Sequence, residues 1–323
     1  MRKNDASPKI YLDSNQQIEK LRADGLHIPD EKHAKRRLKW EGYYNFAVGY
    51  NRLFKDKDKR YFHGVEFAHI EALFDFDKRL REIVYEATQQ VECNLKAILS
   101  DEFSARYGVD EREYLREENF TANPADKAKV RWIIGTCRAA LREACEADST
   151  AYRDYVAYYD ATYRHIPFWL LVRTLTFGNV SKFLRLLKPD DGREVAREYS
   201  LPYDTLCTMM EAVVCFRNIA AHGERVYCTH LSRVKLPQGL AVVSKLELPK
   251  RQDGAPMYGV NDCLSLFIAL KYLLPKSAFE DYFAELKRAV ERLENQLPNF
   301  AYQRVLQEMG LLGQWQRLAE FGR

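Results

Sequence analysis

The fold class follows from residues 65–107, which read VEFAHIEALFDFDKRLREIVYEATQQVECNLKAILSDEFSARY. Apolar side chains recur in this stretch every three or four residues, which is the period of an α-helix with one buried face. That face comprises Ile70, Leu73, Leu80, Val84, Ala87, Val91, Leu95 and Ile98. At the α-helical rise per residue, the pattern predicts one helix roughly 60 Å long. We find no repeats and no long strand patterns elsewhere, so the predicted class is all-α.

Shorter helical patterns flank the long helix. They lie within 15–40, at 127–147 and 150–160, from Pro167 to a stop or bend at Gly178, at 193–199, from Leu201–Pro202 onward, from Asn261 or Asp262, and at 277–296. KPDDG (188–192) is interpreted as a break, and 232–260 as a loop or small hairpin. We expect one compact unit of three segments: an aromatic-rich helical segment (1–64), a core (65–230), and C-terminal helices after the loop or hairpin (231–323).

Large aromatic rings are concentrated in WEGYYNFAVGYNRLF, residues 40–54. Such rings dominate the energetics of protein cores, so packing is the expected role of this segment. The rings of Trp40, Tyr43, Tyr44 and Trp169 could also stack on nucleic-acid bases, but we expect them in the core.

Composition limits the class of protein. The 323 residues are 46% hydrophobic and 30% charged, which is typical of a globular chain. A net charge of +4 is weak support for a nucleic-acid partner, so any basic footprint has to be local. The chain shows no signal-peptide pattern and no apolar run of the ~20 residues that a membrane span needs. The seven cysteines form no CxxC pair. We therefore expect a cytoplasmic protein with no membrane partner and no metal site.

The helix that begins near Pro202 ends in RNIAAHGER, residues 217–225. Its apolar stripe runs through Leu206, Met210 and Val213, and the next position on the stripe is Arg217. The spacing R-x(4)-H also occurs at Arg22–His27 and Arg225–His230, but neither pair lies on a strong amphipathic helix. The context, rather than the spacing, selects Arg217 and His222.

Helical geometry predicts how these side chains are arranged. Residues five apart differ by about 140° around the axis, so Arg217 has to reach around the helix toward His222. Asn218 and His222 are i,i+4 neighbours on one face. Gly223 is well placed as a C-cap, which puts His222 in the last turn, where the helix dipole favours the imidazolium.

These residue types suit metal-independent RNA cleavage. Histidine acts as a base or an acid near neutral pH, when a 2′-hydroxyl attacks the adjacent phosphate and the 5′-oxygen leaves. Arginine offers a fixed, permanently charged fork to phosphate oxygens. The alternative is structural: a buried arginine on this stripe could instead pair with Asp77, Glu92 or Glu211. The residues alone leave both interpretations open.

A family resemblance adds to this pattern. RNIAAHGER resembles the R-N-x-x-A-H-x-x-R signature of Abi-like abortive-infection proteins, a branch of the HEPN superfamily. Further segments resemble the same family in the same order: QIEKLRADGLHIPD (17–30), LKWEGYYNFAVGY (38–50), FHGVEFAHIEALFDFDKRLREIVYEATQQVECNLKAIL (62–99), PFWLLVRTLTFGNVSKF (167–183) and LFIALKYLLPKSAFEDYFAELK (266–287).

The resemblance implies a HEPN-like helical bundle with N- and C-terminal helical extensions. It also implies a composite active site in a homodimer, where two copies bring their motif residues together. Arg217 and His222 match the catalytic pair, and Asn218 and Arg225 match supporting positions, with no metal and no cofactor. The chain departs from the family at Arg173, where a glutamate is frequent, and at Cys228, where asparagine is usual.

The leading functional hypothesis is an endoribonuclease of phage defence or of a toxin–antitoxin type system. Its partner is RNA, and the resemblance names no neutralising antitoxin. The second hypothesis is a non-cleaving RNA-binding HEPN protein that holds a small RNA. The third is a structural helical adaptor whose motif arginine only braces the core.

Overall fold

The computed structural model describes residues 11–146, 151–237 and 239–321. The helices are α1 (Ser14–Ala23), α2 (Glu31–Glu41), α3 (Phe67–Tyr107), α4 (Glu111–Tyr114), α5 (Lys127–Glu146), α6 (Ala151–Tyr163), α7 (Phe168–Thr174), α8 (Phe177–Arg185), α9 (Pro189–Glu198), α10 (Tyr203–Ala221), α11 (Ala241–Lys245), α12 (Cys263–Leu273), α13 (Lys276–Glu294) and α14 (Asn299–Met309). Within the described ranges the only β pairing is in isolated bridges, so the all-α prediction is confirmed. Residues 147–150, between two predicted helices, lie outside the described part.

The chain forms two compact units. One comprises Met1–Leu80 with Lys287–Gln307, and the other comprises Arg81–Leu286 with Glu308–Arg323. The 41-residue helix α3 begins in the first unit and ends in the second. The three segments expected from the sequence stay a prediction, since this division neither follows nor excludes them.

Aromatic packing forms the core of the first unit. The Phe46 ring lies 5.3 Å from Phe67 and 5.1 Å from Phe74, measured between ring centroids. Tyr50 is buried and donates its hydroxyl to the buried Asp77 carboxylate at 2.6 Å. The packing predicted for residues 40–54 therefore holds for these rings. It is wrong for Trp40, which is 83% exposed.

The other aromatic residues that were expected in the core are also accessible. Tyr44 is 58% exposed and Trp169 is 41% exposed, while Tyr43 is half-buried. Trp40 lies off the inner face of α2, which Ala34 and Leu38 form, and Tyr44 lies off the face on which Phe46 and Ala47 are buried.

The second unit is organised around Phe103 of α3. Its ring lies 4.9 Å from Phe168 of α7 and 5.1 Å from Phe183 of α8. Phe120 and Tyr114 add contacts at 6.1 and 6.3 Å. These contacts hold α7 and α8 against the C-terminal half of α3, and α8 in turn packs against α10.

Two predicted helix boundaries are wrong, and local chemistry explains each. Gly178 does not stop a helix, because α7 ends at Thr174 and Thr176 caps the start of α8 by accepting from the Asn179 amide. KPDDG starts a helix rather than breaking one, since Pro189 takes the first position of α9, where a missing amide hydrogen costs nothing.

The loop after α10 matches its prediction in part. The Arg251 amide donates to the Ala255 carbonyl at 2.8 Å, and Lys250 and Pro256 form an antiparallel bridge. These contacts make a hairpin-like turn. The β-branched run at 241–245 forms the short helix α11 instead of extended backbone.

A candidate active site at the end of α10

Helix α10 is positioned by its buried face. Its buried residues are Leu206, Cys207, Met209, Met210, Ala212, Val213, Phe216 and Ala220. They pack α10 against α8, α9 and α12. Helix α3 meets α10 through the side chains of Tyr85 and Arg217. The packing leaves the opposite face of α10 and its C-terminal end accessible.

The C-terminal end of α10 has the predicted cap. His222 is the C-cap residue, and its amide donates to the Asn218 carbonyl at 2.9 Å. Gly223 follows with φ of 71°, and its amide donates to Ala220. The Glu224 amide then donates to the Ile219 carbonyl at 3.0 Å. This pair of hydrogen bonds is the Schellman motif, which requires a left-handed residue at the glycine position. The cap holds His222 at an exposed helix end.

Arg217 lies at the edge of the buried face. The prediction that it continues the apolar stripe is wrong, because Phe216 and Ala220 fill that stripe and Arg217 is half-buried. Its Nη1 donates to Asn218 Oδ1 at 3.4 Å. The guanidinium therefore reaches around the helix toward the face that Asn218 shares with His222, as the helical geometry predicted.

The carboxylates proposed as structural partners of Arg217 are engaged elsewhere. Glu92 pairs with Lys96 at 2.8 Å, and Glu211 pairs with Arg185 at 3.1 Å. Asp77 belongs to the other unit, where it accepts the Tyr50 hydroxyl. Among the described residues of its own unit, Arg217 has no ion pair. The buried-ion-pair interpretation of Arg217 therefore has no support from these contacts.

Tyr85 is a neighbour that the sequence analysis missed. The guanidinium carbon of Arg217 lies 5.8 Å from the centroid of the Tyr85 ring, within cation–π range. The ring is 38% exposed on α3. The sequence does place Tyr85 at the edge of the apolar face of an amphipathic helix, because it directly follows the stripe residue Val84.

The supporting positions differ in their surroundings. Asn218 is exposed and contacts Arg217, so it connects the arginine to the histidine's face. Arg225 is exposed beyond the cap, where its carbonyl accepts the Thr229 hydroxyl at 2.6 Å. The structure therefore brings Arg217, Asn218 and His222 to one helix end and leaves Arg225 on the following turn.

The two other R-x(4)-H pairs have different environments. Arg22 pairs with Glu31 at 2.6 Å, and the His27 ring contacts Glu66 at 3.2 Å. His230 lies in a loop, with Nδ1 3.3 Å from the Cys228 carbonyl. Neither pair ends a long, buried helix.

Cys215 lies one turn before Asn218 on the accessible face of α10 and is half-buried. Burial, followed by the charge of Glu211, raises the pKa of its thiol. The thiol therefore stays protonated at neutral pH, and thiolate nucleophilic chemistry is disfavoured here.

Comparison with known proteins gives one family. The model of the family described as Abi-like protein matches residues 36–228, a range that holds α10 and all four candidate residues. No curated protein and no solved structure matches the chain. Within the described residues, no helix combines the length and apolarity needed to cross a bilayer.

Proposed function

The chain belongs to the Abi-like protein family, and on that premise we propose that it is a metal-independent endoribonuclease of the HEPN type. The family description suggests a role in abortive infection, the defence of a cell population against phage. We place its action in the cytoplasm, alone or within a toxin–antitoxin type system.

One observation carries this proposal. An exposed histidine and an arginine that has no ion pair among the described residues of its unit share the end of α10, with Asn218 between them. A histidine near neutral pH moves protons, and an arginine binds phosphate oxygens in two-point contacts. A brace built on a buried ion pair would require a carboxylate partner for Arg217, and the described residues of its unit supply none.

The proposed reaction is an internal transesterification. The 2′-hydroxyl loses its proton to an imidazole and attacks the adjacent phosphorus, while the bond to the 5′-oxygen breaks. A second imidazole gives its proton to that oxygen, so the products are a 2′,3′-cyclic phosphate and a 5′-hydroxyl. Arg217 stabilises the extra negative charge that develops on the phosphate in the transition state.

Two imidazoles are needed if one accepts and one donates a proton, whereas each chain brings one candidate, His222. We therefore propose a symmetric homodimer in which the α10 ends of two copies face a shared cleft. Ala221 and Gly223 flank His222 with minimal side chains and are exposed, so they leave room for a second copy or an RNA backbone.

The test is cleavage of a labelled RNA in excess EDTA, with the product ends analysed. We expect cleavage to persist and to leave 2′,3′-cyclic phosphate and 5′-hydroxyl ends. Absence of cleavage, or 5′-phosphate ends, would contradict the proposed chemistry. Sedimentation of the same sample tests the assembly, since an active strict monomer would refute the composite site.

A further inference from the structure

A groove of about 840 Å³ lies beside α10 and is walled by the start of α5, by α8 and by α10. Trp132 of α5 forms one wall and is 49% exposed. Lys182 of α8 places its ammonium 4.4 Å from the centroid of the Trp132 ring. Glu211 and Cys215 of α10 line the facing wall. We name this the Trp132 groove.

Two ion pairs line the groove, and two further charged residues, Lys182 and Asp204, lie outside them. Lys129 binds Asp126 at 2.8 Å, and Arg185 binds Glu211 at 3.1 Å. Lys182 has no ion pair among the described residues, and the contact of its ammonium is the indole face. An anion that enters the groove would meet this ammonium without having to displace a carboxylate from it.

The lining matches the chemistry of a nucleotide. The exposed indole offers a flat surface for a base when the Lys182 ammonium moves from its face to a phosphate, and such stacking tolerates any base because every base has a π-face. Lys182 offers a cation for the attached phosphate. The carboxylates of Asp204 and Glu211 at the same groove can accept N–H groups of a base edge. A purely apolar partner would leave these charged groups buried and unsatisfied.

The groove and the candidate active site share one face of α10. Glu211, Cys215, Asn218 and His222 follow each other at helical spacings of four, three and four residues. Cys215 and His222 are seven residues apart, which is about 10 Å along the axis. A strand with its reacting phosphate at His222 would therefore bring a flanking nucleotide to the groove.

We infer that the Trp132 groove binds a nucleotide of single-stranded RNA next to the cleaved bond, with the base on Trp132 and its phosphate on Lys182. This inference rests on the proposed function. It adds a substrate class, since a base inside a duplex has no free face for the indole. The sequence alone does not reveal the site, because Trp132 and Lys182 lie on different helices, 50 residues apart in the chain.

The test measures RNA binding by the full chain in a His222→Ala background, which prevents turnover. A fluorescently labelled, unstructured RNA is titrated, and Kd is read from anisotropy at several salt concentrations. Trp132→Ala should weaken binding roughly 5- to 150-fold, the range measured for loss of one stacked base. Lys182→Gln should lower the slope of log Kd against log salt by about 0.7, the value for one single-strand phosphate contact.

Trp169→Ala is the matched control, because Trp169 is similarly exposed at 41% but lies outside the groove. It should leave Kd unchanged, and melting temperatures should show that all variants are folded. If folded Trp132→Ala has the wild-type Kd and folded Lys182→Gln has the wild-type salt slope, the groove assignment is overturned. The proposed nuclease function would still stand in that case, provided that the wild-type chain cleaves RNA. Equal weakening by Trp169→Ala would also overturn it. A His222-intact chain that neither binds nor cleaves RNA would instead refute the proposed function, and the groove assignment with it.

Discussion

At its N-terminal end, α10 is fixed by side-chain contacts. The Tyr203 hydroxyl donates to the Leu184 carbonyl at 2.5 Å, and its ring covers Gly192 of α9 so closely that a Cβ there would overlap it. At its C-terminal end, His222 is exposed, and the contacts that hold it among the described residues are the backbone hydrogen bonds of the Gly223 cap.

The two ends of α10 therefore differ in the property that a substitution should change. Changes at the Tyr203 end should alter the free energy of unfolding and leave the reaction of the folded protein intact. Changes at the His222 end should alter the reaction and leave the fold intact, since few side-chain contacts are lost there. A variant at the Tyr203 end that slows the reaction of the folded protein, or a variant at the His222 end that destabilises the fold, would contradict this division.

Apart from the loss of His222 itself, the largest effect is expected at Arg217. Arg217→Lys keeps the positive charge but loses the planar fork, and we expect cleavage to fall roughly 10²- to 10³-fold, as for loss of a transition-state donor. Arg217→Ala should change the free energy of unfolding by no more than about 1 kcal/mol, the contribution of an exposed cation–π contact. Rate measurements and denaturant titrations check both values. A loss of 3–5 kcal/mol, as for a broken buried ion pair, would favour the structural interpretation of Arg217.

The next effect concerns the fixed end of α10. Gly192→Ala inserts a methyl group into the Tyr203 ring, and we expect a loss of about 1–3 kcal/mol in the free energy of unfolding, typical of overpacking. Gly135→Ala is the matched control within α5, because its Cβ would meet nothing within 4 Å. That substitution should stabilise the protein by about 0.5–1 kcal/mol. Denaturant titration measures the change in the free energy of unfolding for each variant. A loss of stability in both Gly192→Ala and Gly135→Ala would contradict the packing argument.

The smallest expected effect distinguishes the contribution of the Gly223 cap to stability from its role in positioning His222. Gly223→Ala forces a left-handed backbone on alanine at φ of 71°, with no overlap of its Cβ, and should cost about 1 kcal/mol. Gly108→Ala, at the end of α3, has φ of 77° and equally open space, so it should cost the same. Only Gly223→Ala should also reduce cleavage, because it shifts His222. Equal cleavage by both variants would contradict the role of the cap.

The sequence was sufficient for the features that depend on local chemistry. Apolar spacing predicted α3 nearly to the residue, and Gly223 predicted the cap that exposes His222. The apolar period gave the wrong result for a residue at the boundary between the buried and the exposed face of α10. Arg217 was expected on the buried stripe, but Phe216 and Ala220 occupy it.

Other features depend on contacts between distant segments, which one sequence does not reveal. Nothing near Trp132 indicates that Lys182 lies over its ring. The place of Tyr85 beside Val84 on α3 does not reveal that its ring reaches Arg217. Such features needed the packed structure.

In the proposed mechanism His222, and no other histidine that follows an arginine by five positions, carries out the proton transfer. The direct test compares RNA cleavage rates of His222→Ala and His230→Ala, two exposed histidines that each follow an arginine by five positions. We predict that His222→Ala loses roughly 10²- to 10⁴-fold in rate. His230→Ala should keep the wild-type rate, and both variants should melt at the wild-type temperature. Wild-type cleavage by folded His222→Ala, or an equal loss in both variants, would contradict the account.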